Sequence, residues 1–229
     1  MPVDPYDTNL QGLWLLTEAS GTRYDQTANN NDLTDYNTVT SSTDTKRGAL
    51  SAQFTAANTE YLEITDAAQT GLAITGNITL ACWVKPATWV ASQVLLEKYK
   101  AATNERGYML WLYYDLAFDT IIPQLNLSGN GTSYTIVKGD YMAGGWNHVV
   151  ATYDGSYMRI YQNGVLDSTP EAYSAGIYDG TAPFRIGAHV DNSWPLDALM
   201  SEAAIWSRAL SATEIWQIYT HSILRHRRD

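Results

Sequence analysis

The residues best equipped for chemistry in this 229-residue chain are aromatic ones set among polar neighbours: Trp89, Tyr99, Trp111, Tyr113, Tyr134, Tyr141, Tyr178 and Trp194. A Trp or Tyr ring has an apolar face and a polar rim, so it can stack on a pyranose while nearby Asn, Asp and Gln satisfy the hydroxyls. Along Tyr108 to Asp115, period-two alternation puts Met109, Trp111 and Tyr113 on one face and Tyr108, Leu110, Leu112 and Tyr114 on the other. One of those faces must be core. Many of the rings serve equally well as packing bulk, and Trp14, Trp83, Trp146, Trp206 and Trp216 are read as core.

Other chemistries are poorly supplied. Glycoside hydrolysis needs two carboxyls held across one bond. The nearest acidic pairs are Glu60 with Glu63, which odd spacing sends to opposite strand faces, and Asp115 with Asp119, where Asp119 falls at a turn. His189 and His221 have no metal-like spacing with each other or with Cys82. Serine-nucleophile, phosphate-loop and dinucleotide motifs are missing, so no catalytic residue is assigned.

The elements that must position these side chains are mostly strands. Tyr and Trp are abundant (16 and 8), and Gly, Asn, Thr and Ser punctuate short apolar runs. Strands are expected near 11–16, 48–54, 60–65, 77–85, 93–98, 107–116, 121–127, 133–138, 146–153, 157–162, 165–168, 183–187 and 197–207. So many short strands in one chain predict two packed sheets in a single domain over 1–229, with its core in 10–220. Asp154-Gly155 and Asn163-Gly164 each read as a type I′ hairpin turn, with positive φ at both central residues. Residues 17–47 are polar enough to read as loop.

One helix is expected after Arg208-Ala209-Leu210, where Ser211 and Glu214 form a Ser-x-x-Glu capping box. Its apolar stripe is Ala212, Ile215, Trp216 and Tyr219, predicted to seal one edge of the sandwich.

A net charge of −10 disfavours nucleic acid and anionic membranes as partners. The basic cluster Arg225, His226, Arg227 and Arg228 reads as a solvated tail, and Cys82 as a buried core thiol. With neither a leader-like start nor a long apolar span, an extracellular or particle-surface role implies a leaderless route.

Several ordered motifs resemble the laminin-G-like, concanavalin A-like jelly-roll family. They are Gly12-Leu13-Trp14, Glu18-Ala19-Ser20-Gly21, the Asp25 to Asp32 turn, Gly48 to Phe54, and Ile78 to Pro86. The Trp146 to Leu166 meander, Phe184-Arg185-Ile186-Gly187, the Asp197 to Trp206 strand, and Arg208-Ala209-Leu210-Ser211 with Glu214-Ile215 complete the series. The resemblance implies an all-β, two-sheet antiparallel jelly roll with a short C-terminal helix, and a structural role for His148. It also implies a structural calcium held by Asp25, Asn29, Asn31, Asp32 and Glu202. The chain departs from the family at Ala198, where Gly is usual, and at Ser201, where Asp is usual; the second departure weakens that metal site.

The acidic triplets of concanavalin-like glucanases and the Arg/Gln-His/Tyr sets of lyases with this fold have no counterpart here. A non-catalytic recognition or adhesion module with carbohydrate as ligand is the leading reading. A virion or filament component, contacting copies of itself or a lattice through protein surfaces, is the alternative. A cryptic polysaccharide hydrolase or lyase comes third.

Overall fold

The computed structural model describes residues 7–89 and 91–221, so the basic tail lies outside the described residues. The strands are β1 (Leu10–Trp14), β2 (Thr34–Tyr36), β3 (Thr40–Ser42), β4 (Ser51–Phe54), β5 (Tyr61–Ile64), β6 (Ile78–Pro86), β7 (Gln93–Lys100) and β8 (Glu105–Asp115). They continue with β9 (Thr120–Gly131), β10 (Thr135–Lys138), β11 (Asn147–Tyr153), β12 (Tyr157–Gln162), β13 (Val165–Leu166), β14 (Glu171–Ala172), β15 (Phe184–Ile186) and β16 (Ala198–Trp206), followed by helix α1 (Ala212–Thr220). Each expected strand is present with ends moved by a few residues; β2, β3 and β14 are additional.

All pairings between these strands are antiparallel and fall into two sheets. One runs β13-β12-β11-β6-β16-β4-β3, with β1 on β16 and β14 on β12; the other runs β10-β9-β8-β7-β15-β5-β2. Between them lies a dry core in which Trp14 stacks on Phe184 at 5.2 Å, surrounded by Leu80, Leu110, Leu125, Val149 and Ile205. Side chains alternating inward from both sheets build this layer, and burying each large apolar side chain contributes about 2 kcal/mol. Cys82 is part of it, and burial pushes its thiol pKa up. Among the described residues no helix is long and apolar enough to cross a membrane.

Several local expectations are corrected. Residues 17–47 are not mere loop: Leu33 and Val39 reach the core, and β2 and β3 add a strand to each sheet. This polar stretch orders itself by bonding backbone with side chains. Arg23, buried, donates to the carbonyls of Gly21 and Val39, and Asp35 accepts the Gly21 and Val39 amides. Asn163 and Gly164 have the expected positive φ (51° and 82°), but the Asp154-Gly155 turn is longer than two residues. There Asp154 Oδ1 accepts the Ser156 and Tyr157 amides at 2.9 and 2.8 Å, an Asx turn that needs positive φ only at Gly155.

Helix α1 carries the full capping box, with Ser211 Oγ accepting the Glu214 amide at 3.3 Å and Glu214 Oε2 accepting the Ser211 amide at 2.7 Å. Of the expected stripe it buries Ile215, with Ile218 beside it, whereas Ala212 is exposed, Tyr219 is half-buried and Trp216 is 50% exposed. The helix lies on the outer face of the nine-stranded sheet, meeting Leu13, Val150, Tyr161 and Trp206, and reaches the edge strand β13. Trp216 and Tyr219 lie over Gly164, where a Cβ would come within 2.9 Å of both rings, so these aromatics cap a turn. Trp146 is half-buried and donates its indole N–H to Asp44 at 2.9 Å.

Candidate functional site

The outer face of the seven-stranded sheet gathers most of the aromatics singled out by the sequence. Strand register aligns Glu63, Arg185, Glu97, Met109, Asn126 and Ile136 in one cross-strand row, and Val94, Trp111, Gln124 and Lys138 in another. Tyr108, Leu110 and Leu112 point the other way into the core, so of the two faces of β8 it is the Met109-Trp111-Tyr113 side that looks outward.

On this face the rings form an unbroken chain. Centroid separations are 6.4 Å from Tyr134 to Tyr99, 5.8 Å from Tyr99 to His189 and 5.4 Å from His189 to Trp194. Trp194 stacks on Trp111 at 5.1 Å, and Trp111 meets Tyr113 edge-on at 5.7 Å. Lys138 Nζ lies 5.0 Å from the Tyr113 ring centroid, a cation–π contact. Tyr99 and Trp111 are buried supports, whereas Trp194 and Tyr134 are 40% and 50% exposed. Trp111 is oriented by its indole N–H, which donates to Asn126 Oδ1 at 3.1 Å. Burial raises the Tyr99 phenol to about 12 against the opposing charge of Arg106, so it stays a neutral hydroxyl at working pH.

The segment between β15 and β16 carries Trp194 and is tied down from below. Glu97, fully buried, accepts His189 Nδ1–H at 2.8 Å and the Val190 amide at 2.9 Å. Arg185 donates to the His189 carbonyl and to Asn192 Oδ1, both at 3.0 Å, and pairs with Glu63 at 2.6 Å. Val94 N–H donates to the Trp194 carbonyl at 3.0 Å, fixing the exposed indole, with φ 49°, against the edge of β7. Burial raises the Glu97 carboxyl pKa despite the His189 and Val190 hydrogen bonds. Burial works against a charged His189, but the hydrogen bond and charge of Glu97 outweigh it, and the imidazole pKa is raised.

Neither Glu97 nor His189 was assigned to a site by sequence reasoning, because they stand 92 positions apart. The available signal was an acid at the end of the apolar run Val94-Leu95-Leu96, since a buried charge demands a partner.

The remaining expected ring residues lie elsewhere. Trp89 packs partly into the core, and Tyr141 sits 5.3 Å from Phe118 near the β8–β9 hairpin tip. Tyr178 covers Gly131, where a Cβ would approach its ring to 3.0 Å. His148 hydrogen-bonds through its backbone to Asn163, while its ring packs 4.9 Å from Trp83 and leaves Nδ1 without a hydrogen-bond partner.

The residues expected to hold calcium are committed differently. Asp25 accepts the amides of Leu13, Thr27 and Asn31 and the Thr27 hydroxyl, at 2.7 to 3.0 Å. Asp32 Oδ1 accepts the Asp25 amide, and Asn31 Oδ1 the Thr70 amide. The Asn29 side-chain amide donates to Gln11, and Glu202, at the β16 bulge, lies 3.8 Å from Arg47. Calcium wants roughly six to eight oxygens free to turn toward it. As placed, this set does not fit the ion, and among the described residues no group of three or more acids, His or Cys does. Millimolar calcium is expected to leave the melting midpoint unchanged; a rise of several degrees would show that the turn opens to the ion.

The Laminin_G_3 family model, described as the concanavalin A-like lectin/glucanases superfamily, matches residues 56–216. No curated protein sequence matches the chain. Among solved structures, domain 4 of AbnA, a GH43 extracellular arabinanase from Geobacillus stearothermophilus in complex with arabinotriose, aligns with TM-score 0.66 and 17% identity, over 92% of this chain and 98% of that one. The binding domain of botulinum neurotoxin serotype C1 aligns with TM-score 0.73 and 13% identity, over 96% of this chain and 53% of that one. The binding domain of botulinum neurotoxin DC in complex with SialylT gives 0.71 and 14%, over 95% and 52%. The chain thus spans about half the length of these toxin domains. Identities this low speak for the fold alone. The family match covers most of the chain and agrees with the two antiparallel sheets: the protein belongs to the concanavalin A-like lectin/glucanases superfamily.

Proposed function

We propose that this chain is a non-catalytic carbohydrate-binding module acting at an extracellular or particle surface, with the outer face of the seven-stranded sheet as its binding face. The observation that carries this reading is the continuous row of rings from Tyr134 to Tyr113, supported from beneath and open to solvent at Trp194 and Tyr134. Stacking platforms of this kind hold sugar rings while leaving glycosidic bonds intact. The acids on the face favour binding over hydrolysis, because Glu63, Glu97 and Asp191 are engaged by Arg185, His189 and Ser193. The arabinotriose and SialylT complexes of two proteins sharing the fold support a carbohydrate ligand class.

A second reading, assembly through protein contacts, draws on the β8–β9 hairpin tip, where Leu116 and Phe118 are 81% and 67% exposed. A glycan array combined with light-scattering mass separates the two. Glycan binding by a monomer is expected, and Trp194→Ala should weaken it about fivefold, since an aromatic stack is worth about 1 kcal/mol. A defined multimer that Phe118→Ser dissolves, without glycan binding, would replace the first reading with the second.

A further inference from the structure

The aromatic row does not stop at the edge of its sheet. Tyr134 also borders a groove on the open side of the sandwich, between edge strand β10 of one sheet and β12 and β14 of the other. The groove has two lobes, of about 240 and 590 Å³, that share Thr135, Tyr173 and Ala175. Its far end is marked by Tyr157, 44% exposed, with the Arg159 guanidinium 5.3 Å from its ring centroid. The wall carrying Tyr173 is fixed in place. Its backbone bonds Ser156 at 2.9 Å, and the following Tyr178 bonds Ser128 at 2.7 Å. Gly129 permits this approach, because a Cβ there would stand 2.4 Å from the Ala175 carbonyl oxygen.

The chemistry of the groove is specific. The Tyr173 hydroxyl is shielded from solvent yet has no hydrogen-bond partner among the described residues. A buried polar group left unpaired is unfavourable, and a small turn of the Tyr173 ring, which packs 5.4 Å from Tyr153, toward a ligand hydroxyl or a water in the groove would relieve it. Along the same walls the hydroxyls of Thr135, Ser156 and Ser174 make no hydrogen bond among the described residues, and none of the described charged side chains lines either lobe. Uncommitted hydroxyls between two exposed rings match a chain of neutral sugar units. Uronic or sialic acid units would find no cation lining the lobes, would meet at their far end only Arg159, which is already paired with Asp154, and would face a protein of net charge −10.

Resting on the carbohydrate reading above, we infer that the ligand is an extended neutral oligo- or polysaccharide, which crosses the outer face, passes over Tyr134 and continues into the edge groove, where Tyr173 anchors it. The site is therefore a track holding several sugar units, not a pocket for one residue.

The test is calorimetric titration with ladders of neutral arabinose, xylose and glucose oligomers, from disaccharides to long chains, beside galacturonic acid oligomers of matching length. Affinity for the preferred neutral ladder should keep rising beyond the trisaccharide, by about tenfold in all. Tyr157→Ala and Tyr173→Phe should return long-chain affinity to the short-chain value while leaving short-chain binding intact. Because Tyr173→Phe removes an unpaired hydroxyl, its melting midpoint should hold or rise, which a merely structural role for that hydroxyl would not allow. Affinity that levels off at the short oligomers and ignores both substitutions would overturn the track but leave outer-face binding standing. Preference for the galacturonic ladder would overturn the neutral ligand class. Absence of binding to every ladder would overturn the carbohydrate reading and the track together.

Discussion

Acidifying the protein from neutrality to about pH 4 should strip away roughly 3 kcal/mol of stability through one side chain, His148, at about 1.4 kcal/mol per pH unit. Burial first, and the nearby charge of Arg47 second, push its pKa down to about 3 from the ordinary 6.5. The ring lies between Trp83 and Tyr219, beneath helix α1, where a proton would be neither solvated nor paired. Between those two values the unfolded chain binds a proton that the folded chain refuses, so stability rises with pH across the window and falls on acidification. Other groups titrate nearby: the Asp7, Asp154 and Glu214 carboxyls, held low, lose stability in the same direction, and Glu97, held high, acts in the opposite one. The difference between wild type and His148→Phe isolates the imidazole. Phe keeps the ring contact with Trp83 and removes the orphaned nitrogen, so the variant should match or exceed wild type at pH 7 and lose much less below pH 6. Equal acid slopes in urea unfolding of the two proteins would show that His148 is charged or solvated in the fold.

Replacing Glu97 by Ala should have the other large effect, destabilising the protein by about 3 to 5 kcal/mol, as expected when one member of a buried pair is removed. The change strands the His189 imidazole and the Val190 amide and leaves Arg185 facing an unbalanced site. It also frees the segment that aims Trp194, so glycan affinity should fall with stability. Glu97→Gln, which retains an acceptor for one of the two donors, should lose about half as much. In a double-mutant cycle with His189→Gln, the coupling should exceed about 1 kcal/mol, beyond the deviation from additivity usual for independent sites. Additive losses would mean that the two side chains do not act as a pair.

The contrast between these two sites explains what was legible in the sequence. Period-two alternation announced the strands and assigned Trp111 and Tyr113 to one face of β8, because burial on a pleated sheet is a local property of the chain. The Ser211-Glu214 capping box was readable for the same reason. Which rings would share a surface was not local: Tyr99, Tyr134 and Trp194 meet only through strand order in a sheet whose neighbours lie far apart in sequence. The Glu97–His189 support was hidden in the same way. At the Asp25 turn the Asx residues that could bind calcium are also those that cap backbone amides, and composition does not distinguish the two uses. Helix α1 keeps Ile215 of its expected stripe and adds Ile218, both packed on the sheet face, while Trp216 and Tyr219 lie over the Gly164 turn.

Sugar bound on the exposed ring row would be seen directly in the indole N–H resonances of isotopically labelled protein during titration with the neutral oligosaccharide ladders. The Trp194 and Trp111 signals should move together in a saturable way, while those of Trp14 and Trp206, sealed in the two cores, stay in place. Saturable shifts confined to Trp216 or Trp89, with Trp194 and Trp111 unmoved, would place the ligand elsewhere and contradict the account.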